Sequence, residues 1–367
     1  MRIRAVTVFI PWNLQEVTRA GALASAARET LTRAGYEVQT MRLALPPSEA
    51  SKDGTDFLCQ AQEWEAIARE VGFDYLSLGP LGPLAVEIPR LFAETERIFA
   101  SMMLTDGNAV RTAAWIIREN ATVAPDGFAN LRFAALASVP PLGPFFPAAY
   151  HDGGPMAIAL ATEAADLAVE AARAARDPAA ALTMLQAQVE ATGRYLAHLL
   201  RPLASRFSAR FAGIDFSLAP FPEPERSIGT AIELLSGVPF GKAGTLAAVA
   251  GLAAAVQRAD FPRTGFCGIM LPVLEDAVLA RRAAEQQLRV NDLLLYSAVC
   301  GTGLDTLPLP GSASEEALAR VLEDLRALSV RLGKPLTARL MPIPGREPGD
   351  PVRFDFAYLA PSAVMAL

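Results

Sequence analysis

The feature that most constrains this chain is a regular alternation between short apolar segments and longer segments with helical spacing. Ile3–Ile10 is apolar and rich in β-branched residues, as in a buried strand, whereas Val17–Ala34 carries apolar residues three or four positions apart. By the same criteria we predict a polar loop at 46–54 and further strands at 36–43, 73–78, 100–104, 131–139, 156–160, 213–219, 266–271, 304–309 and 336–341. Because helical segments separate most of these strands, neighbouring strands must run parallel. The sequence therefore predicts one large α/β domain over residues 1–367, with about ten strands arranged as an α/β barrel.

The composition excludes several classes of protein. Of the 367 residues, 52% are hydrophobic and 20% are charged, which suits a globular core and excludes a disordered chain. The formal net charge of −6 leaves no basic footprint for a nucleic acid. The apolar run Ala5–Ile10 is too short for a signal peptide, and the longest run, Ala243–Val256, is too short to cross a bilayer. With three cysteines and no CxxC pair, we expect a cytoplasmic protein that binds neither nucleic acid nor membrane.

Five short motifs, in order along the chain, resemble those of one family. They are Ile3-Arg4-Ala5-Val6-Thr7, Ile88-Pro89-Arg90 followed by Ala93-Glu94-Thr95, Tyr150-His151-Asp152-Gly153-Gly154, Ile214-Asp215-Phe216-Ser217-Leu218-Ala219-Pro220, and Cys300-Gly301-Thr302-Gly303-Leu304-Asp305. Their order and spacing are similar to those of the uncharacterised family called domain of unknown function 711, or uncharacterised protein family 0210. The resemblance covers most of the chain.

This resemblance implies a ten-stranded barrel like that of the pyruvate formate-lyase-type glycyl radical enzymes, without their chemistry. The stretch Asp355–Pro361 has no glycine where those enzymes carry their radical-bearing glycine loop. Three polar positions of the family pattern are also changed. Pro155 stands in place of a glutamate, Ala243 in place of a histidine, and Phe99 or a neighbour in place of a cysteine. These changes imply an activity that is altered or absent.

Asp215 is the strongest single candidate for chemistry. On a strand, Ile214, Phe216 and Leu218 share one face, and Asp215 and Ser217 share the other. If the apolar face meets the helices, Asp215 and Ser217 point into the barrel, where a carboxylate needs a partner or a ligand. The alternative is a buried, hydrogen-bonded structural aspartate.

Two further catalytic candidates lie in turns. His151 and Asp152 end a loop rich in proline and glycine, where a histidine suits acid–base work near neutral pH. The alternative is a pair at the loop surface. Cys300 precedes Gly301 where a helix is predicted to end, and it is a weaker candidate nucleophile because the helix C-terminus disfavours a thiolate. The alternative for Cys300 is a buried, inert thiol.

Charged residues follow several of the predicted strands. Arg226 follows the Asp215 strand, Glu275 follows the strand at 266–271, and Asp305 follows Cys300 by five positions. Side chains after parallel strands gather at one end of a sheet, where ligands usually bind, and carboxylates there can hold a divalent cation. The alternative for Glu275 is a charge that favours the start of the next helix. We therefore count Asp152, Ser217, Arg226, Glu275 and Asp305 as candidate ligand-binding residues.

Two functions fit these features. The first is an enzyme, or former enzyme, that binds a small molecule in a pocket at the strand ends. The second is a non-catalytic ligand-binding or structural barrel. No motif assigns a cofactor, a metal or a reaction. The alanine-rich helices within 164–211 predict association into a homodimer.

Overall fold

The computed structural model describes residues 1–47 and 56–367, so most of the polar loop predicted at 46–54 lies outside the described residues. The described residues contain eleven strands and eleven α-helices. In chain order these are β1 (Arg2–Phe9), α1 (Gln15–Arg33), β2 (Val38–Ala44), α2 (Phe57–Glu70), β3 (Tyr75–Pro80), α3 (Ile88–Glu94), β4 (Ile98–Met103), α4 (Gly107–Val123), β5 (Phe133–Ala137), β6 (Ala157–Glu163), α5 (Ala165–Ala174), α6 (Pro178–Arg206), β7 (Arg210–Asp215), α7 (Ile228–Ser236), α8 (Thr245–Arg258), α9 (Ala277–Ala284), α10 (Val290–Ser297), β8 (Gly303–Pro310), α11 (Glu315–Leu332), β9 (Leu336–Ile343), β10 (Pro351–Val352) and β11 (Ser362–Ala363). None of the helices in these two ranges is long and apolar enough to cross a membrane.

Local sequence signals account for many of the helix ends. The Asp106 side chain accepts hydrogen bonds from the backbone N–H groups of Asn108 and Ala109, at 2.8 and 2.9 Å, and so begins α4. Gly333 ends α11 in the left-handed conformation that glycine adopts without strain. These caps fix the first residue of α4 and the last residue of α11, and therefore the lengths of the loops that connect these helices to their neighbouring strands.

Nine of the strands form one mixed sheet in the order β7-β6-β1-β2-β3-β4-β5-β9-β8. The five strands β1 to β5 are parallel, because each is connected to the next through a helix. On either side of this set, the prediction that neighbouring strands run parallel is wrong: β6 pairs with β1, and β9 pairs with β5, in the antiparallel sense. The predicted α/β class is confirmed, with two sets of parallel strands that run in opposite directions.

The prediction of a strand at 266–271 is wrong, and the closed ring of strands is not formed by hydrogen-bonded ladders. Gly265 and Cys267 have φ angles of +67° and +45°, which break the extended conformation that a ladder requires. Isolated parallel bridges in this part of the chain join Ile214 to Arg263, Leu218 to Ile269 and Pro272 to Asp305. The edge strands β7 and β8 do not pair with each other.

The two faces of the nine-stranded sheet differ in the size of their side chains. On the outer face, large residues such as Met41 and Leu43 pack against the helices. On the opposite, inner face, several strands carry alanine, including Ala44 and Ala161. Small inner side chains leave room for another part of the chain to pack against this face.

That space is filled by the segment 138–156, which connects β5 to β6. Its Phe145 and Phe146 pack against the alanines of the inner face. Hydroxyl groups of the strands satisfy its buried backbone: Thr7 Oγ1 donates to the Pro144 carbonyl at 3.0 Å, and Ser77 Oγ donates to the Ala149 carbonyl at 2.7 Å. The segment therefore forms a wall against which a cavity remains.

Candidate functional site

A cavity of about 90 Å³ lies between the inner face of the sheet and segment 138–156, and we call it the inner cavity. It is situated near the amino-terminal ends of β1 to β5. Much of its wall is aromatic. The rings belong to Tyr75, Phe99, Phe145, Phe146, Phe266, Phe356 and Tyr358. The remaining wall is strongly charged, which is unusual for a buried surface.

Four charged side chains of this wall form a chain of ion pairs, which we call the paired cluster: Arg4, Glu275, Arg339 and Asp305. Arg339 Nη2 donates to Glu275 Oε1 at 2.6 Å, and Arg339 Nε donates to Asp305 Oδ1. Arg4 Nη2 binds the second oxygen of Glu275. Arg4 Nη1 donates to Glu163 Oε2 at 3.0 Å, which links the cluster to the end of β6. Each arginine of the cluster therefore has two carboxylate partners.

The two carboxylates of the paired cluster have different environments. Burial disfavours the charge of Glu275, but Arg339 and Arg4 outweigh it, so the pKa of Glu275 lies below its usual range. Burial dominates at Asp305, which has Arg339 as its hydrogen-bonding partner, and its pKa is raised. Glu275 therefore remains ionised while Asp305 is the more readily protonated group.

Arg42 of β2 also lines the inner cavity, but it is bonded quite differently. It is 8% exposed, and no carboxylate of residues 1–47 or 56–367 pairs with it. Its Nε donates to the Thr40 hydroxyl at 2.9 Å, and its guanidinium carbon is 5.1 Å from the centre of the Phe146 ring. Burial, with the nearby charge of Arg4, lowers the pKa of Arg42 to about 10. Arg42 therefore remains charged at neutral pH.

Two uncharged polar groups of the cavity wall are also unsatisfied. Thr302 Oγ1 and Gln39 Oε1 are buried and have no hydrogen-bond partner in the part of the chain that the structure describes. Most buried polar atoms in proteins have a partner, and Arg42 of the same wall has no acidic partner among the described residues, so these atoms point to a missing group. A polar ligand in the inner cavity would supply it.

Among the predicted site residues, Glu275 and Asp305 line the inner cavity. Arg226 is not part of the cavity wall, but it forms an ion pair with Glu163, which also binds Arg4. Its guanidinium carbon lies 4.1 Å from the centre of the Phe221 ring. These three residues are brought together through the arginines of the cluster. Glu275 and Asp305 therefore meet, but near the amino-terminal ends of β1 to β5 and not after the ends of parallel strands as expected, because residues 266–271 form no strand and Asp305 lies inside β8.

Asp215 and Ser217 do not line the inner cavity. Asp215 is fully buried, and its carboxylate accepts hydrogen bonds from Ser217 Oγ at 2.6 Å, from Phe266 N at 2.7 Å and from Cys267 N at 2.8 Å. Burial raises the pKa of Asp215 to about 6. These three donors favour the structural alternative, because Asp215 holds the irregular turn that stands where a strand was predicted.

His151, Asp152 and Cys300 are also outside the wall of the inner cavity. His151 is fully buried with Nε2 3.2 Å from the Pro155 carbonyl, and burial lowers its pKa. Asp152 forms an ion pair with Arg210 at 2.5 Å. Cys300 is fully buried, and its sulfur accepts from Gly303 N at 3.4 Å. Their catalytic and binding roles stay predictions.

The acidic residues after the predicted strands were also candidates to bind a divalent cation. Within residues 1–47 and 56–367, no group of three or more His, Cys, Asp or Glu side chains is arranged to hold a metal ion. Asp276, the residue after Glu275, caps α9 by accepting hydrogen bonds from Val278 N and Leu279 N.

The functional residues that the sequence analysis missed are the arginines Arg4, Arg42 and Arg339. The signal for Arg42 was present: it alternates with Met41 and Leu43 of the outer face, so it must point to the inner face. Arg4 was harder to place, because a register shift between Ile3 and Ala5 interrupts the alternation of β1.

The comparisons with known proteins show to which family the chain belongs. The model of the family described as "Uncharacterised ACR (DUF711)" matches residues 1–355. A UPF0210 protein of Pyrobaculum arsenaticum is 30% identical to this chain, over 90% of this chain and 79% of its own length. A UPF0210 protein of Methanopyrus kandleri is 29% identical, over 90% and 80% respectively. The chain therefore belongs to the uncharacterised DUF711 family, whose members among these relatives carry the name UPF0210.

Proposed function

We propose that this protein binds a small, negatively charged organic molecule, a carboxylate, in the inner cavity. The observation that carries the proposal is Arg42, a buried arginine with no acidic partner among the described residues. A buried charge without a partner is unfavourable, and a carboxylate fits the planar guanidinium through two parallel hydrogen bonds. The neighbouring arginines Arg4 and Arg339 already hold carboxylates and are not available in the same way.

The size and the wall of the inner cavity support a small organic ligand. Its volume of about 90 Å³ is below the roughly 150 Å³ of a cavity that holds benzene, so a ligand of a few heavy atoms fits. Phe146 and Tyr75 flank the Arg42 guanidinium, at 5.1 and 5.9 Å from their ring centres, and restrict its orientation. An acid of that size would meet charge on one side and rings on the other.

The binding proposal is tested by calorimetric titration with a panel of small acids such as acetate, pyruvate and oxamate. In Arg42→Met we expect the affinity for any acid that binds to fall by at least about tenfold, because a charged hydrogen bond is worth ~1.5–3 kcal/mol. Arg42→Lys keeps the charge without the planar fork and should lose less.

Arg206→Met is the matched control for this titration. Arg206 is an exposed arginine that also lies over a phenyl ring, that of Phe207 at 5.3 Å, and it is not part of the cavity wall. Its substitution should leave binding unchanged. The proposal fails if no acid of the panel binds, or if Arg42→Met binds as well as the unaltered protein.

An enzyme that acts on the bound acid is the second candidate function. It is favoured by Glu275 and Asp305, whose pKa values are displaced in opposite directions although both bind Arg339. Such pairs divide acid and base roles in many active sites. Proton NMR of the same acids incubated with the protein tests it. Conversion that Asp305→Asn abolishes supports an enzyme, and unchanged spectra of a bound acid favour the non-catalytic barrel.

Three wider predictions accompany this proposal. We infer that the segment 262–273 takes the place of a tenth strand in a barrel of the pyruvate formate-lyase type, and the three isolated bridges support this. We treat 1–367 as one domain, since strands from both ends of the chain join one sheet. The homodimer through 164–211 stays a prediction, which light scattering at micromolar concentration tests.

A further inference from the structure

The charges that line the inner cavity do not balance, and this bears on which acid it takes. Three arginines line it, Arg4, Arg42 and Arg339, against two carboxylates, Glu275 and Asp305. Behind this wall, Glu163 binds both Arg4 and Arg226, and Arg226 also forms an ion pair with the exposed Glu223. With every group ionised, the wall therefore has one positive charge in excess, and a ligand with a single negative charge neutralises it.

Asp305 is the group that can change this balance. Glu275 uses both of its oxygens, one for Arg339 and one for Arg4. Asp305 uses Oδ1 for Arg339, and no donor in residues 1–47 or 56–367 is bonded to its Oδ2. A proton on Oδ2 therefore leaves the hydrogen bond from Arg339 to Oδ1 in place but removes the negative charge of that pair. The wall then gains a hydrogen-bond donor and a second excess positive charge.

We propose that the inner cavity takes a small monocarboxylate as it stands, and a small dicarboxylate only together with one proton on Asp305. This inference rests on the proposed function, since it assumes that an acid binds beside Arg42. It adds the charge class of the ligand and a pH dependence of its binding. The proton comes from solvent, forms the O–H bond of Asp305, and is released when the dicarboxylate leaves.

The groups that surround Asp305 determine the sign of the effect. Arg339 of β9 and Arg4 of β1 favour its ionised form, whereas burial and the charge of Glu275 favour its protonated form. The charged or titratable residues that complete the wall of the inner cavity are Arg42, Tyr75 and Tyr358. A second negative charge on the ligand adds to the effect of Glu275, so it must favour protonation.

Oxamate and oxalate provide the experiment, because they have the same size and shape and differ by one negative charge. Each is titrated into the protein by calorimetry in Tris and in imidazole, two cationic buffers with different heats of ionisation, at several pH values from 6 to 8. We expect oxalate to take up about one proton more than oxamate. Its affinity should fall up to ~tenfold per pH unit, while that of oxamate changes little.

Asp305→Asn shows where the proton goes. In this variant oxalate should bind without the additional proton and with a nearly constant affinity across the pH range. If the uptake persists in Asp305→Asn, another group takes the proton and the inference is overturned. If the variant does not fold, the difference in proton uptake between the two acids in the unaltered protein decides.

The two proposals fail in different ways. If neither oxamate, oxalate nor the acids of the wider panel bind, the proposed function fails and this inference with it. If both probes bind through Arg42 with equal proton uptake, binding of an acid stands and the coupling to Asp305 is wrong.

Discussion

Arg42 and Arg132 are both buried arginines without an acidic partner among the described residues, but they differ in the hydrogen bonds that their guanidinium groups donate. Their exposed fractions are 8% and 9%, and burial lowers the pKa of each to about 10. Arg132 donates to the carbonyls of Thr95 and Phe92 at 2.8 and 2.5 Å. Arg42 donates only from Nε, to the Thr40 hydroxyl, within the part of the chain that the structure describes.

The comparison separates two uses of a buried charge. Arg132 joins the end of α3 to the start of β5, and backbone oxygens occupy its donors, so it is a structural residue. Arg42 lies on the inner face, where its two Nη groups have no partner among the described residues and a cavity adjoins them. Burial and pKa are the same for both, so only the count of hydrogen bonds shows which charge is available for a ligand.

The largest expected effect comes from the arginines that do have acidic partners. Glu275→Gln removes the carboxylate that Arg4 and Arg339 share, and breaking a buried ion pair in this way costs about 3–5 kcal/mol in the free energy of unfolding. Urea denaturation measures it. Glu233→Gln is the control: Glu233 binds Arg282 in a more exposed position, and its loss should cost less than about 1 kcal/mol. Equal losses in both variants would contradict the buried network.

A direct test of the comparison substitutes each of the two arginines with methionine. Arg132→Met leaves the carbonyls of Thr95 and Phe92 without their donor, so the free energy of unfolding should fall by about 2–4 kcal/mol. Arg42→Met removes a buried charge that has no acidic partner in residues 1–47 and 56–367, so in ligand-free protein the change should stay within about 1 kcal/mol or be stabilising. Thermal and urea denaturation of the pair measure both values. A large loss in Arg42→Met would make Arg42 a structural residue like Arg132.

Asp215 is a buried carboxylate with hydrogen-bond donors around it, and its substitution should change the free energy of unfolding less than the substitutions above. Its folded-state pKa of about 6 lies above the usual 3.8, so between these values the folded protein binds more protons than the unfolded chain. Stability from this group is therefore present below about pH 4 and is lost as the pH rises through 6. Asp215→Asn should remove a slope of up to about 1.4 kcal/mol per pH unit from the unfolding free energy. Identical slopes for the two proteins would exclude a raised pKa.

The α/β class and most of the strand positions were predictable from local patterns. Periodicity is a local property, and parallel pairing follows from the helices between strands. The strand at 266–271 was not predicted correctly, because the turn at Gly265 and Cys267 depends on the distant carboxylate of Asp215. A pattern within six residues contains no information about that contact.

The candidate site shows the same division. Alternation along β2 was sufficient to place Arg42 on the inner face, but it could not show that no acid faces it there. The pairing of charged side chains in the inner cavity depends on the order and register of β1, β2, β8 and β9 in the sheet. For Arg4, the register shift between Ile3 and Ala5 determines the side of the sheet on which its side chain lies. Partners so far apart in sequence, such as Arg4 and Glu275, are not connected by any local spacing rule.

The position of β9 in the sheet has a consequence for the order in which the protein is made. β9 pairs with β5, about 200 residues earlier in the chain, and it carries Arg339 into the inner cavity. On the ribosome, Arg4, Arg42 and Glu275 emerge before Asp305 and Arg339, so the paired cluster is incomplete until those two residues follow. A chain interrupted before Arg339 lacks both a complete β9 and the cation that joins the two carboxylates. Under the proposed function, only chains whose synthesis has passed Arg339 bind the acid.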